Sequence, residues 1–155
     1  MKTKINEIII GTNNQGKYEE ICDLLPSDMK KHSPKEFDID SPDETGKSFE
    51  ENSFIKASFF SNKTNLICLS DDSGLEINLL KGRPGIHSSR WSGNKNNFDL
   101  AIEKIFYEMN KVKTNWENDN AAKFVCCMTL FWPNGKSLSS KGIINGIVSK
   151  LKIGS

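Results

Sequence analysis

The chain has 155 residues, of which 36% are hydrophobic and 26% charged, and its formal net charge is +1. That length suits one domain able to bury roughly two thirds of its unfolded surface, and the composition excludes a disordered, collagen-like or disulfide-stapled chain. A near-neutral charge excludes a global field that draws nucleic acid or an anionic membrane, so any phosphate binding must be local.

The start, Met1 to Lys4, is basic, but the apolar run Ile5 to Ile10 is too short for a signal peptide, and no stretch approaches membrane-spanning length. A cytoplasmic protein is expected. Four cysteines, Cys22, Cys68, Cys126 and Cys127, form no Cys-x-x-Cys pair, and three of them lie inside apolar runs. They read as reduced thiols rather than as disulfides or zinc ligands.

Along the chain, Ile8-Ile9-Ile10 predicts a strand that runs into a polar, glycine-containing loop. A helix then starts near Gly16, carries Tyr18, Ile21, Leu24 and Leu25 at helical spacing, and stops at Pro26. Lys30 to Ser33 predicts a short edge strand, and Asp38 to Lys47 an acidic, turn-rich segment. Ser48-Phe49-Glu50-Glu51 reads as a capping box for a helix to about Asn62, with Asn52 and Lys56 on a polar face and Ile55 and Phe59 on an apolar one.

Leu66 to Ser70 predicts a buried strand, broken by an acidic turn at Asp71 to Gly74 and resumed at Leu75 to Leu80. Asn97 caps a helix whose apolar stripe, Phe98, Ala101, Ile102, Ile105, Phe106 and Met109, should be core. Trp116 to Asn120 reads as a polar connection. Two strands follow, Ala122 to Trp132 and Lys136 to Val148, joined at Pro133-Asn134-Gly135. This order predicts an α/β fold, a mixed sheet with helices on it, in a single domain over residues 1–155.

Two segments carry chemistry. Gly11-Thr12-Asn13-Asn14-Gln15-Gly16-Lys17 fits the Gly-x4-Gly-Lys of a nucleotide-binding P-loop between strand and helix, but Tyr18 stands where that motif needs a magnesium-binding hydroxyl. The loop thus departs from that of an ordinary kinase or GTPase, while amides at a helix N-terminus and the charge of Lys17 still suit a triphosphate. Asp71 and Asp72 end an apolar strand, where ligands of α/β sheets bind. Magnesium takes one or two carboxylates plus phosphate oxygens, and Glu44 and Glu51 lie in the other acidic segment that could reach it. A carboxylate left over could deprotonate a water. His32 reads as surface, His87 as a loop histidine, and Arg90 as a phosphate clamp.

Taken together, Gly11 to Lys17, Glu44-Thr45-Gly46 with Phe49-Glu50-Glu51-Asn52 and Lys56-Ala57, Asp71-Asp72-Ser73-Gly74-Leu75, and Gly82-Arg83-Pro84-Gly85 with Ser88-Ser89-Arg90-Trp91-Ser92-Gly93 resemble the inosine/xanthosine triphosphate pyrophosphatases. The resemblance implies an elongated mixed α/β fold, commonly homodimeric, that hydrolyses dITP, ITP and XTP to monophosphate and pyrophosphate with Mg2+. By motif position, Thr12, Asn13, Asn14, Gln15, Gly16 and Lys17 bind the triphosphate, Glu44 and Asp72 hold magnesium, and Ser73 contacts substrate. Asp72 is also the proton acceptor; Asp71 and Lys17 join it as catalytic candidates, with Lys56 and Arg90 as further substrate contacts.

The chain departs from that family at His87, where tyrosine is usual, and at Asn120 and Lys123, where arginines are usual. It ends at Ile153-Gly154-Ser155, whereas the family continues into a Gly-Phe-Gly-Tyr-Asp-Pro loop, a lysine and a Ser-His-Arg segment that grip base and phosphate. Weak or no turnover is expected of 155 residues lacking those groups. Rival readings are a Maf-like pyrophosphatase of related architecture and a non-catalytic nucleotide-binding or dimerisation module.

Overall fold

The structure is a computed structural model that describes residues 5–93 and 97–151; the basic start Met1–Lys4 and the final Ile153-Gly154-Ser155 lie outside them. Five strands, β1 (Glu7–Ile10), β2 (Lys30–His32), β3 (Cys68–Ile77), β4 (Ala121–Phe131) and β5 (Ser137–Ile147), alternate with three helices, α1 (Gln15–Leu24), α2 (Phe49–Thr64) and α3 (Phe98–Val112). The sheet order is β2-β1-β3-β4-β5. β1 pairs in parallel with both β2 and β3, and the Trp132 to Lys136 turn between β4 and β5 makes a hairpin, which runs antiparallel. The sheet is thus mixed and flanked by helices, as the element order predicts.

The chain forms two compact units: Met1–Asp72 with Cys127–Lys141, and Ser73–Cys126 with Gly142–Ser155. In the first, side chains alternate across the sheet as a period of two requires. Ile8, Ile10, Ile67 and Leu69 pack with Ile21 and Tyr18 of α1, while Ile9 and Cys68 pack with Ala57 and Phe60 of α2. So α1 and α2 cover opposite faces of β1 and β3. Gly11 is required where β1 ends: a Cβ there would lie 2.8 Å from both Cys68 Sγ and a Phe60 ring carbon.

Helix α2 is pinned to its face by polar contacts. Ser53 Oγ and Thr129 Oγ1 are 2.8 Å apart, Thr129 Oγ1 and Ser139 Oγ 2.9 Å, and Lys141 Nζ donates to Glu50 at 3.0 Å. Ser48 caps α2 by accepting from the Glu51 amide at 3.1 Å. The predicted capping box is only half formed, because the Glu51 carboxylate accepts from the Lys47 amide, one residue before the cap.

The second unit closes on Ile77, Leu80, Ile105, Met109, Trp116 and Ala122. Two expectations are corrected here. Trp116, read as part of a polar connection, is 5% exposed and stacks on Phe106, its indole donating to Asn110. The stripe of α3 is core only in part: Ile105 and Met109 are buried, but Phe98 at the helix entry is 69% exposed, because the first turn precedes the packed face.

Candidate active site

The site grows from the two parallel neighbours of β1. The chain leaves β1 toward β2 through α1 on one face and reaches β3 through α2 on the other, so β1 and β3 meet at the switch point where open α/β sheets bind ligands. The last β1–β3 pair is Ile10 with Leu69. Asp71 and Asp72 come just after it on β3.

They are not in a turn. β3 is continuous from Cys68 to Ile77, which corrects the expectation of a break at Asp71 to Gly74. The two carboxylates, each 5% exposed, are held inside the strand by cations and donors on both faces. On the α1 side, Lys17 Nζ donates to Asp71 Oδ2 at 2.7 Å. On the α2 side, the buried Asn52 amide donates to Asp72 Oδ2 at 3.0 Å, and Lys56 Nζ stands 3.9 Å from Asp72 Oδ1.

Lys56 also donates to Glu44 Oε1 at 2.8 Å. Glu44, Lys56 and Asp72 thus form one cluster, with the ammonium between two carboxylates. Burial pushes the Asp72 carboxyl above the usual aspartate range, against the opposing pull of Lys56 and the Asn52 hydrogen bond; Lys17 also lowers it. Asp72 is therefore a stronger base than an ordinary aspartate, held in a partly dry place.

The phosphate loop ends in the α1 N-terminus. Asn14 caps it by accepting from the Lys17 amide at 3.2 Å, and the Asn14 amide donates to Thr12 Oγ1. Amides of a first turn have no acceptor within their own helix, which makes those of Gln15 and Gly16 a suitable seat for an anion. Asn13 anchors the loop by donating to the Ile39 carbonyl. A shallow open cleft beside it is lined by Thr12, Asn13, Asn14, Gln15, Tyr18, Ser33 and Lys35.

Of the expected residues, the structure joins Lys17 to Asp71, and Asp72 to Lys56 and Glu44. Ser73 opens the second unit directly after Asp72, and Arg90 ends a 3-10 helix, Gly85–Arg90, of that unit. Glu51 is exposed and engaged with the Lys47 amide. His32 is corrected from surface to buried, its ring nitrogens 2.7 Å from Glu7 and 2.8 Å from Glu36. Asn52 and Lys56 do share a polar face of α2, and that face points inward and is buried, against the carboxylates of Asp72 and Glu44. Their spacing of four on a capped helix, opposite an acidic segment, was the signal for Asn52.

Among the described residues, no group of three or more His, Cys, Asp or Glu side chains forms a metal cage. The Glu44 and Asp72 pair nevertheless fits a hard divalent cation, which needs few carboxylates when phosphate supplies the rest. Lys56 shows that a positive charge is accommodated between them.

A family model described as the Ham1 family matches residues 8–155. The chain belongs to the Ham1 family. Among curated relatives, the dITP/XTP pyrophosphatase of Zymomonas mobilis is 39% identical over 140 residues, 90% of this chain and 66% of the relative. That of Oceanobacillus iheyensis is 37% identical over 152 residues, 96% of this chain and 76% of the relative. The chain thus spans about two thirds to three quarters of the length of these relatives. A HAM1 protein from Coxiella burnetii aligns at TM-score 0.86 and 31% identity, over 96% of this chain and 75% of that one. The Ham1 protein of Staphylococcus aureus aligns at 0.81 and 35%, over 96% and 74%.

Proposed function

We propose that this Ham1-family chain acts on non-standard purine nucleoside triphosphates, dITP, ITP and XTP, hydrolysing them to monophosphate and pyrophosphate with Mg2+ and so clearing deaminated purines from the nucleotide pool. The observation that carries the reading is the pair of charge clusters on either side of the Asp71–Asp72 peptide, Lys17 with Asp71 and Lys56 with Glu44 and Asp72. One suits the outer phosphates and the other a metal and a base. The names of the relatives as dITP/XTP pyrophosphatases support the substrate class.

In this reading Thr12 to Lys17 hold the triphosphate tail through the α1 amides and the Lys17 charge, with Ser73 and Arg90 as further substrate contacts. Glu44 and Asp72 hold magnesium, which neutralises phosphate charge when bound. Asp72, its basicity raised by burial, accepts at Oδ1 a proton from the attacking water. The water oxygen bonds to the α-phosphorus, the bond from that phosphorus to the bridging oxygen breaks, and pyrophosphate leaves with the electron pair. Asp71 keeps Lys17 directed along the α1 face.

The same proposal takes the protein as cytoplasmic and homodimeric. Four cysteines outside any disulfide support a reducing compartment, and no described helix is long and apolar enough to cross a membrane. An exposed edge strand carrying Leu138, Ile143, Ile144 and Ile147 supports an interface.

Product analysis tests the reading. With dITP, dGTP and dTTP as a panel and the chain in molar excess, the proposal expects dIMP and pyrophosphate from dITP in preference to the others. Release of orthophosphate and dIDP, or preference for dTTP, would refute it.

A further inference from the structure

We infer that Asn52 is a positioning residue, a single buried amide that sets Asp72 and the Glu44–Gly46 segment in register for holding a divalent cation. The inference rests on the metal reading under Proposed function and adds to it the residue that assembles the site.

Asn52 is 0% exposed and stands in the first turn of α2. Its Oδ1 accepts from the Gly46 amide at 2.8 Å, and its Nδ2 donates to Asp72 Oδ2 at 3.0 Å. Both partners fix the amide's orientation, since a backbone N–H can only donate and an ionised carboxylate only accept. Asn52 therefore spans two segments that are 26 residues apart in sequence, from Gly46 to Asp72. Gly46 lies two residues after Glu44, and one helical turn beyond Asn52 the Lys56 ammonium touches Glu44 and Asp72.

The approach is close enough to need glycine. A Cβ on residue 46 would sit 2.6 Å from Asn52 Oδ1 and 2.7 Å from Glu51 Cβ. An aspartate in place of Asn52 could not donate to Asp72, and a leucine of similar volume could neither donate nor accept. Partners that orient metal-holding carboxylates in this way change metal affinity by roughly 10- to 100-fold when removed.

The test compares the unsubstituted chain with Asn52→Leu and Asn52→Ser, and with Ile9→Val as a core change in the same unit that touches neither Asn52 nor the carboxylates. Two quantities are read on folded protein: hydrogen exchange at the Gly46 amide without metal, and Mn2+ affinity by calorimetry. The inference expects Gly46 exchange to quicken about tenfold or more in both Asn52 variants and Mn2+ affinity to fall about 10- to 100-fold. Ile9→Val should leave both unchanged. Unaltered Gly46 exchange, Mn2+ affinity kept within about twofold in Asn52→Leu, or an equal loss in Ile9→Val would each overturn it. If the unsubstituted chain binds no Mn2+, the metal reading under Proposed function fails with it, while Gly46 exchange still decides whether Asn52 ties Asp72 to the Gly46 turn.

Discussion

Asp71 and Asp72 are consecutive in β3 yet bind opposite faces of the sheet, Asp71 to Lys17 on the α1 side and Asp72 to Asn52 and Lys56 on the α2 side. The period of two in a strand enforces this. Two adjacent carboxylates in a turn could share one set of partners; in a strand they meet two separate sets.

Lys17→Met separates these halves. It should weaken binding of dITP, read by calorimetry, about 10- to 100-fold, equivalent to about 1.4 to 2.8 kcal/mol, while Mn2+ affinity stays unchanged. It should also lower the unfolding midpoint, because Asp71 keeps its burial and loses a cation. The loss is limited to about 1 kcal/mol by the partial exposure of Lys17.

Asp72→Asn should uncouple stability from function. The carboxyl is raised above its usual range chiefly by burial, so ionising it in the folded state costs stability at neutral pH, and a neutral amide removes that cost. Urea unfolding at pH 7 should show the variant as stable as the parent or more so, by up to about 2 kcal/mol, with pyrophosphate release abolished. A marked loss of stability would instead give Asp72 a structural role.

Gly11→Ala tests the close approach on which the phosphate loop depends. With Cys68 and Phe60 both 2.8 Å from the added carbon, the cost should be about 1 to 3 kcal/mol in urea unfolding. A neutral result would mean that β1 and α2 are packed less tightly than described.

Much of this arrangement was legible in the sequence, because strong local signals dominate where they occur: the isoleucine run of β1, the Asn97 cap, the hairpin at Pro133 to Gly135. The phosphate-loop reading of Lys17 came from its place in Gly-x4-Gly-Lys, and the roles expected of Asp72 came from the family resemblance. What escaped reading was set by partners distant in sequence. Asp71 to Gly74 looks like a turn because its residues favour turns, and Lys17, Asn52 and Lys56, supplied by two helices, help make burial of both carboxylates tolerable. His32 looked superficial because Glu7 and Glu36, which bury and bond it, are separated from it by 25 and 4 positions.

That histidine gives a pH dependence. Hydrogen bonds that the ring donates to Glu36 and then Glu7 hold the His32 pKa above its ordinary 6.5, with burial and Lys30 opposing. A raised folded value means that its contribution to stability is complete below about pH 6.5 and is lost as pH rises through the folded pKa. Glu36 and Glu7 are lowered from 4.5, Glu36 chiefly by the Ser33 amide and Glu7 by His32. Their contribution is present above that value and fades as pH falls through their folded pKa values. Urea unfolding at about pH 5.5 and about pH 8.5 should show the parent losing more stability with rising pH than His32→Asn. Equal slopes would show that the ring is not charged in the folded protein.

The most direct test of the central claim is a single-turnover reaction of excess chain with dITP and Mg2+, followed by separation of nucleotide and phosphate products, run in parallel with Asp72→Asn. From the parent, dIMP and pyrophosphate are expected in equal amounts, and from the variant dITP binding without product. Orthophosphate as first product, or unchanged pyrophosphate release by Asp72→Asn, would contradict it.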